Sequence, residues 1–216
     1  MSSVEARARL SGGASDDAVL GMVSRAVGTR SGDTLLDLGC GGGRLAAVLK
    51  DRFPRYLGVD TVRYEGFPET GEFHRADLDA GPVPLPDACA DLVAAVETIE
   101  HLENPRAFLR ELLRLARPGG RILVTTPNQT SLLSLATLVA KRRFSAFQDV
   151  HYPAHRTALL EVDLRRIAAE CGLEDVEIHH SLQGRLIGTP WHLPGWLSRA
   201  FPGAFSDNLL MLARKP

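Results

Sequence analysis

The segment Val96-Glu97-Thr98-Ile99-Glu100-His101 places two carboxylates and an imidazole within a few residues of one another. A helical turn there would put Glu97, Glu100 and His101, at i, i+3 and i+4, on one face. Hard oxygen donors together with a nitrogen suit Mg²⁺, Mn²⁺ or a related divalent ion. Without an ion, His101 could act as a general base on an acceptor proton, or the segment could simply pack. A second chemical feature lies upstream, in Asp37-Leu38-Gly39-Cys40-Gly41-Gly42-Gly43. Glycines permit a sharp turn with backbone angles closed to other residues, and they let a ligand approach the main chain.

That turn directly follows the apolar run 34–38 and precedes a helical pattern, so it sits at the carboxyl end of a strand. Ligands bind at such ends in open α/β sheets. A dinucleotide site would want Gly-x-Gly-x-x-Gly to cradle a pyrophosphate. Here the glycines fall at 39, 41 and 43, and Arg44 stands two beyond Gly42. With the acid at 37, this spacing resembles motif I of the class I S-adenosylmethionine (SAM) dependent methyltransferases. The resemblance implies a cofactor without phosphate, bearing a cationic sulfonium and an ammonium group. Asp37 would supply a carboxylate to it, and Gly39, Cys40, Gly41 and Gly43 the close turn.

Two more acids follow in register. Asp60 ends the second strand pattern, where a carboxylate can accept both ribose hydroxyls. Asp77, in Arg75-Ala76-Asp77-Leu78, ends the third, where members of the class bind the adenine amino group and Leu78 adds a backbone contact. Either acid alone would be read as an exposed strand end. The resemblance covers about residues 30–130.

The Glu-x-x-Glu-His segment resembles two branches of the class, the ubiquinone-pathway O-methyltransferases and the small-RNA 3′-terminal 2′-O-methyltransferases. In the second branch both glutamates, the histidine and a later histidine bind a metal. Carried over, that implies Glu97, Glu100, His101 and His155 as ligands, with His155 preferred to His151 because its spacing to Leu164 matches. Thr125-Thr126-Pro127-Asn128 also resembles that branch. The aromatic run expected after the later histidine is replaced by Thr157-Ala158-Leu159, so the resemblance does not extend to an RNA substrate. Many methyltransferases keep Glu-His here without metal, the glutamate touching cofactor; Glu97 is therefore also a cofactor-binding candidate and His101 the catalytic one.

The elements that must position these groups alternate along the chain. Helices are expected at 16–27 (capped by Ser15), 44–51, 105–116, 130–142 and 157–171, and strands at 34–38, 56–60, 72–75, 91–96, 121–126, 174–180 and 207–213. Pro82-Val83-Pro84-Leu85-Pro86 can only be loop, and Pro118-Gly119-Gly120 should stop the fourth-strand helix. Such alternation implies a mostly parallel sheet with helices on both faces. The expectation is one α/β domain over 1–216, with the Rossmann-like class I methyltransferase fold, seven strands, and a helical lid insertion at about 130–160 and 183–206. The apolar helix from 131 reads as a cap over an apolar acceptor or as core. Trp191, Trp196, Phe201 and Phe205 read as an acceptor wall or a satellite core, and the loop 183–206, with Pro190, Pro194 and Pro202, as an ordered substrate-side segment.

Composition bounds the partners. With 25 Lys and Arg against 26 Asp and Glu, the net charge of −1 offers no global field for nucleic acid or an anionic membrane, though a local basic patch stays open. The first ten residues carry charges where a signal peptide needs an apolar run. The longest apolar stretch, 132–140, is well short of the ~20 residues that span a bilayer. Cys40, Cys89 and Cys171 form neither a zinc pattern nor an even disulfide set, which makes the cytoplasm the default. The expected reaction is transfer of the SAM methyl group to an oxygen of a small-molecule acceptor. The rivals are an RNA 3′-end 2′-O-methyltransferase and a non-catalytic SAM-binding protein.

Overall fold

Strand β1 (Thr34–Leu38) is buried at all five positions, which is why its sequence is a run rather than an alternation: helices cover both its faces. The computed structural model describes Glu5 and residues 15–186, 189 and 191–216. Pro190 and all but Glu5 of the N-terminal run read above lie outside the described residues. Helix α1 (Asp17–Val27) is followed by β1, α2 (Arg44–Leu49), β2 (Arg55–Asp60), β3 (Glu72–Arg75) and β4 (Ala90–Ala95). Then come α3 (Pro105–Leu115), β5 (Ala116–Pro127), α4 (Leu132–Lys141), α5 (Glu161–Glu170), β6 (Glu174–His180), α6 (Gly195–Ala200) and β7 (Asn208–Arg214).

The sheet has seven strands in the order β3-β2-β1-β4-β5-β7-β6. Pairs from β3 through β5 are parallel, while β7 runs antiparallel to both β5 and β6. The order reverses between β1 and β4, leaving a crevice outside their carboxyl ends. Successive β1 side chains enter opposite layers. Leu36 and Leu38 join Phe108, Leu109 and Leu112 of α3 and Leu164 of α5; Leu35 joins Val19, Val23 and Val27 of α1 and Leu45 of α2.

Local chemistry sets the element ends, and in four places it departs from the sequence reading. The cap of α1 is Asp16, whose carboxylate accepts from Ala18 N at 2.8 Å, not Ser15. Helix α3 begins at Pro105 as expected, and Asn104 caps it, its side chain accepting from Ala107 N at 3.0 Å. It ends at Leu115, before the Pro-Gly-Gly. That tripeptide sits within β5, where the register against β4 shifts between Ala90 and Leu92 and Gly119 adopts φ 73°. Helix α5 starts at Glu161, later than expected, with Asp163 accepting from Leu160 N at 3.0 Å. The span 183–206 is not all loop, since it contains α6.

Helix α4 departs most. Its serine side faces inward: Ser134 is fully buried and its hydroxyl lies 3.3 Å from Gln129 Oε1 and 3.2 Å from Ser145 N. Leu132, Leu135 and Val139, at i, i+3 and i+7, face outward. Among the described residues, no helix is long and apolar enough to cross a membrane.

Candidate active site

The crevice at the strand ends is a cavity of about 340 Å³, within the usual range for small-molecule sites. Asp37, Gly39, Cys40, Gly41, Asp60, Asp77, Leu78, Glu97, Glu100, His101 and His155 all line it. Of the cofactor and metal candidates read from the sequence, Gly43 alone is not a lining residue. Its φ of 74° opens α2, and a Cβ there would collide with Pro68.

Asp37 closes β1 with its side chain almost wholly buried, at 3% exposure. Tyr56, two residues before Asp37's register partner Gly58 on β2, donates its hydroxyl to Asp37 Oδ2 at 2.8 Å. Burial pushes the Asp37 carboxyl up to about 7; the Tyr56 bond opposes this, and the neighbouring Asp60 carboxylate adds to it. Burial, with Asp37 and Asp60 nearby, also drives the Cys40 thiol upward, so it stays protonated and unreactive. The turn is shaped to stay open. Gly39 has φ 75° and a Cβ would strike the Thr98 side chain, which donates to Leu38 O at 3.2 Å and Val96 O at 3.1 Å. Gly41 N donates to Asp60 Oδ2 at 3.0 Å, tying the turn to the end of β2. Asp77 Oδ1 accepts from Asp79 N at 3.0 Å, forming an Asx turn that fixes its direction.

On the facing wall the chain does not form the one-sided helix that the spacing suggests. Glu97 adopts φ 49°, and only Ile99–His101 make a single 3₁₀ turn. Glu97 is thereby turned toward β5 and β7, accepting from Thr125 Oγ1 and Asn208 Nδ2, both at 2.9 Å. Burial raises its pKa to about 7, with Thr125 and Asn208 lowering it and Asp16 raising it.

Glu100, His101 and His155 do converge, with one ligand atom from each lying within 4.8 Å of the others. Both oxygens of the fully buried Glu100 carboxylate lack a hydrogen-bond partner among the described residues. Burial, then the Glu97 charge, pushes Glu100 well above the ordinary carboxylate range, against the opposing pull of its own backbone amide and the nearby Thr126 side chain. His101 Nδ1 lies 2.9 Å from Ala154 O, and His155 Nδ1 lies 2.7 Å from Ala146 O. A carbonyl can only accept, so each Nδ1 carries the proton and each Nε2 presents a lone pair. Burial, then the neighbouring His101, lowers the His155 imidazole to about 4, which keeps it neutral.

His155 reaches the site because its segment is pinned to the 3₁₀ turn. Arg156 N and Thr157 N both donate to Glu100 O, at 2.8 and 3.0 Å, and Thr157 Oγ1 donates to Leu102 O at 2.6 Å. Arg156 also bridges Asp79 at 3.3 Å and Glu103 at 2.5 Å. Neither α4 nor the tryptophans line this cavity.

The sequence model of the methyltransferase-domain family matches residues 16–178. This chain belongs to the class I SAM-dependent methyltransferases. A Mycolicibacterium smegmatis protein named "Probable S-adenosylmethionine-dependent methyltransferase" is 36% identical over 148 residues, which is 67% of this chain and 53% of that protein. The ubiquinone biosynthesis O-methyltransferase of Idiomarina loihiensis is 25% identical over 170 residues, 74% of this chain and 69% of its own length. The chain thus spans about half the length of the first relative and about two thirds of the second. The crystal structure of a SAM-dependent methyltransferase from Archaeoglobus fulgidus superposes with a TM-score of 0.64 at 23% identity, covering 91% of this chain and 93% of that one. That likeness carries the fold, and the family membership carries the cofactor.

The residues that sequence reasoning missed are the positioning ones. Tyr56 is the clearest, and a phenol within an otherwise apolar buried strand is a signal, because its hydroxyl must find a partner. Asn208, on a strand far from Glu97 in sequence, holds its carboxylate and nothing local marks it; Thr125, which only the resemblance singles out, holds it from β5. Asp16 and Ser15 reach the cavity only because α1 packs beside α2.

Proposed function

We propose that this enzyme transfers the SAM methyl group to a hydroxyl oxygen of a small-molecule acceptor, with a divalent ion held by Glu100, His101 and His155. The observation that carries the reading is that triad: a buried carboxylate without a hydrogen-bond partner among the described residues and one ring nitrogen from each of two histidines, all within 4.8 Å, on the wall of the cavity. A fully buried carboxylate with no hydrogen bond is costly unless something else neutralises it. The backbone carbonyls behind each imidazole supply the support typical of metal-ligating histidines.

Asp37 and Asp60 would hold the cationic cofactor and its ribose, and Asp77 with Leu78 the adenine. The glycine turn admits the cofactor to the main chain. Glu97, committed to Thr125 and Asn208, stands outside the triad as a wall contact between cofactor and acceptor. Two nitrogens and one carboxylate also make a softer donor set than the one expected with both glutamates, favouring Mn²⁺ or another nitrogen-tolerant ion over Mg²⁺. When bound, such an ion lowers the pKa of an acceptor hydroxyl and orients it. The chain contributes proximity: cofactor and acceptor share one cavity, and the sulfonium is already electrophilic. The low identity to ubiquinone biosynthesis O-methyltransferases supports oxygen as the acceptor atom.

Methyl transfer to a panel of catechols and phenols, measured with and without a chelator, tests this reading. Chelation should abolish activity, added Mn²⁺ should restore it, and His155→Ala should lose the restoration while still binding SAM. Full activity in chelator together with an active His155→Ala would overturn the metal role.

A further inference from the structure

Outside the active site, one face of the molecule is built against the usual order. Helix α4 turns its polar side inward and exposes Leu132, Leu135 and Val139, the last at 86%. The segment 182–206 exposes Leu186, Trp191, Trp196 and Phe201 as well. The two segments are joined: Leu132 N donates to Ala204 O at 2.8 Å. A second cavity, of about 140 Å³, opens between them, lined by Leu132, Leu186, Leu193 and Phe205. An exposed apolar patch of this extent on a water-soluble fold marks a contact surface.

The charge on this face is as uneven as its hydropathy. Residues 129–148 and 182–206 hold five of the chain's 25 cations, Lys141, Arg142, Arg143, Arg185 and Arg199, and none of its 26 acids. Two of the five are paired to acids just beyond these segments, Arg143 to Asp149 and Arg185 to Asp207, both at 2.9 Å. Lys141, Arg142 and Arg199 are exposed and have no acidic partner among the described residues. The near-neutral total therefore hides a cationic face on an acidic body.

We infer that this face docks on an anionic phospholipid surface. Aliphatic side chains along an exposed helix, indoles at its margin and cations at its end are the three components of an interfacial contact. The aliphatic stripe distinguishes this face from a nucleic-acid surface, where base stacking and phosphate contacts dominate. The uncompensated positive charge distinguishes it from a self-complementary interface, where two copies would bring like charges together. The inference rests on this face alone and is independent of the acceptor and metal assigned above.

Both tryptophans of the chain, Trp191 and Trp196, lie on the face, so intrinsic emission reports on it directly. Mixed phosphatidylcholine–phosphatidylglycerol vesicles should shift the emission to the blue and carry the protein upward in flotation, whereas pure phosphatidylcholine should do so weakly. Each cation beside an anionic surface contributes about fivefold, so Lys141→Gln with Arg199→Gln should weaken vesicle binding by roughly 25-fold, and added salt should do the same. Leu135→Glu with Val139→Glu should abolish it. Retained SAM binding shows that a variant is folded; if one is not, quenching of wild-type tryptophan by brominated lipid decides. Unchanged emission and no flotation at low ionic strength would overturn the inference. So would self-association that shields both tryptophans without lipid, or an emission shift obtained only with single-stranded RNA.

Discussion

Replacing Asp37 by Asn separates what its buried charge costs the fold from what it would add to SAM binding. The amide keeps an oxygen that can accept from Tyr56, so the 2.8 Å bond survives while the charge is lost. An acid whose pKa is higher folded than unfolded binds more protons when folded, so stability is present at low pH and is lost as pH rises between the two values. For Asp37 that window runs from 3.8 to about 7, a gap worth about 4 kcal/mol once the group is fully ionised. In the absence of cofactor, Asp37→Asn should therefore match wild type only below about pH 4, where both forms are uncharged, and be more stable at pH 8 by a sizeable part of that figure. Glu97, raised to about 7 as well, gives the variant the same kind of residual slope. SAM affinity should move the other way. Losing a charge-assisted contact worth about 1.5–3 kcal/mol weakens binding roughly 10- to 150-fold. Wild-type binding should also strengthen as pH rises through 7, with proton release detectable by calorimetry in buffers of different ionisation enthalpy. Denaturant melts across the pH range and titration calorimetry measure both halves. A variant less stable than wild type at pH 8, or one binding SAM as wild type does, would refute the assignment of Asp37 as an uncompensated cation site.

Tyr56→Phe removes the bond that favours the charged form of Asp37, so the pH midpoint of SAM binding should move upward and stability should fall by about 1–3 kcal/mol, read by the same two assays. Gly39→Ala forces a side chain onto φ 75° and into Thr98; SAM binding should be lost and the melting temperature lowered, while Gly66→Ala, also at positive φ but with open space around it, should show the strain of about 1–3 kcal/mol without loss of SAM binding.

Much of the cofactor half was legible because it is local. Buried parallel strands must be apolar runs, a tight turn at their carboxyl ends must be glycine-rich, and acids placed there face the crevice; Asp37, Asp60 and Asp77 follow from chain order alone. The helix starting at Pro105 was equally plain, since its cap and first-turn proline are adjacent in sequence. The acceptor half was less legible because it depends on what the backbone does after β4. Spacing alone put Glu97 with Glu100 and His101, but a residue at φ 49° breaks the helical register, and Thr125 and Asn208, on β5 and β7, take its carboxylate instead. His155 joins Glu100 and His101 only through backbone bonds across more than fifty positions of chain. Hydropathy likewise identified α4 as apolar but could not say which way it faces. Tertiary contacts to Ser134 decided that, because burying its hydroxyl against Gln129 and Ser145 turns Leu132, Leu135 and Val139 to the outside. Sequence by itself determined the sheet, the glycine turn and the acids at its strand ends. The tertiary structure decided which carboxylate joins the histidines and which surface the molecule presents to its surroundings, since both depend on partners that chain order does not bring together.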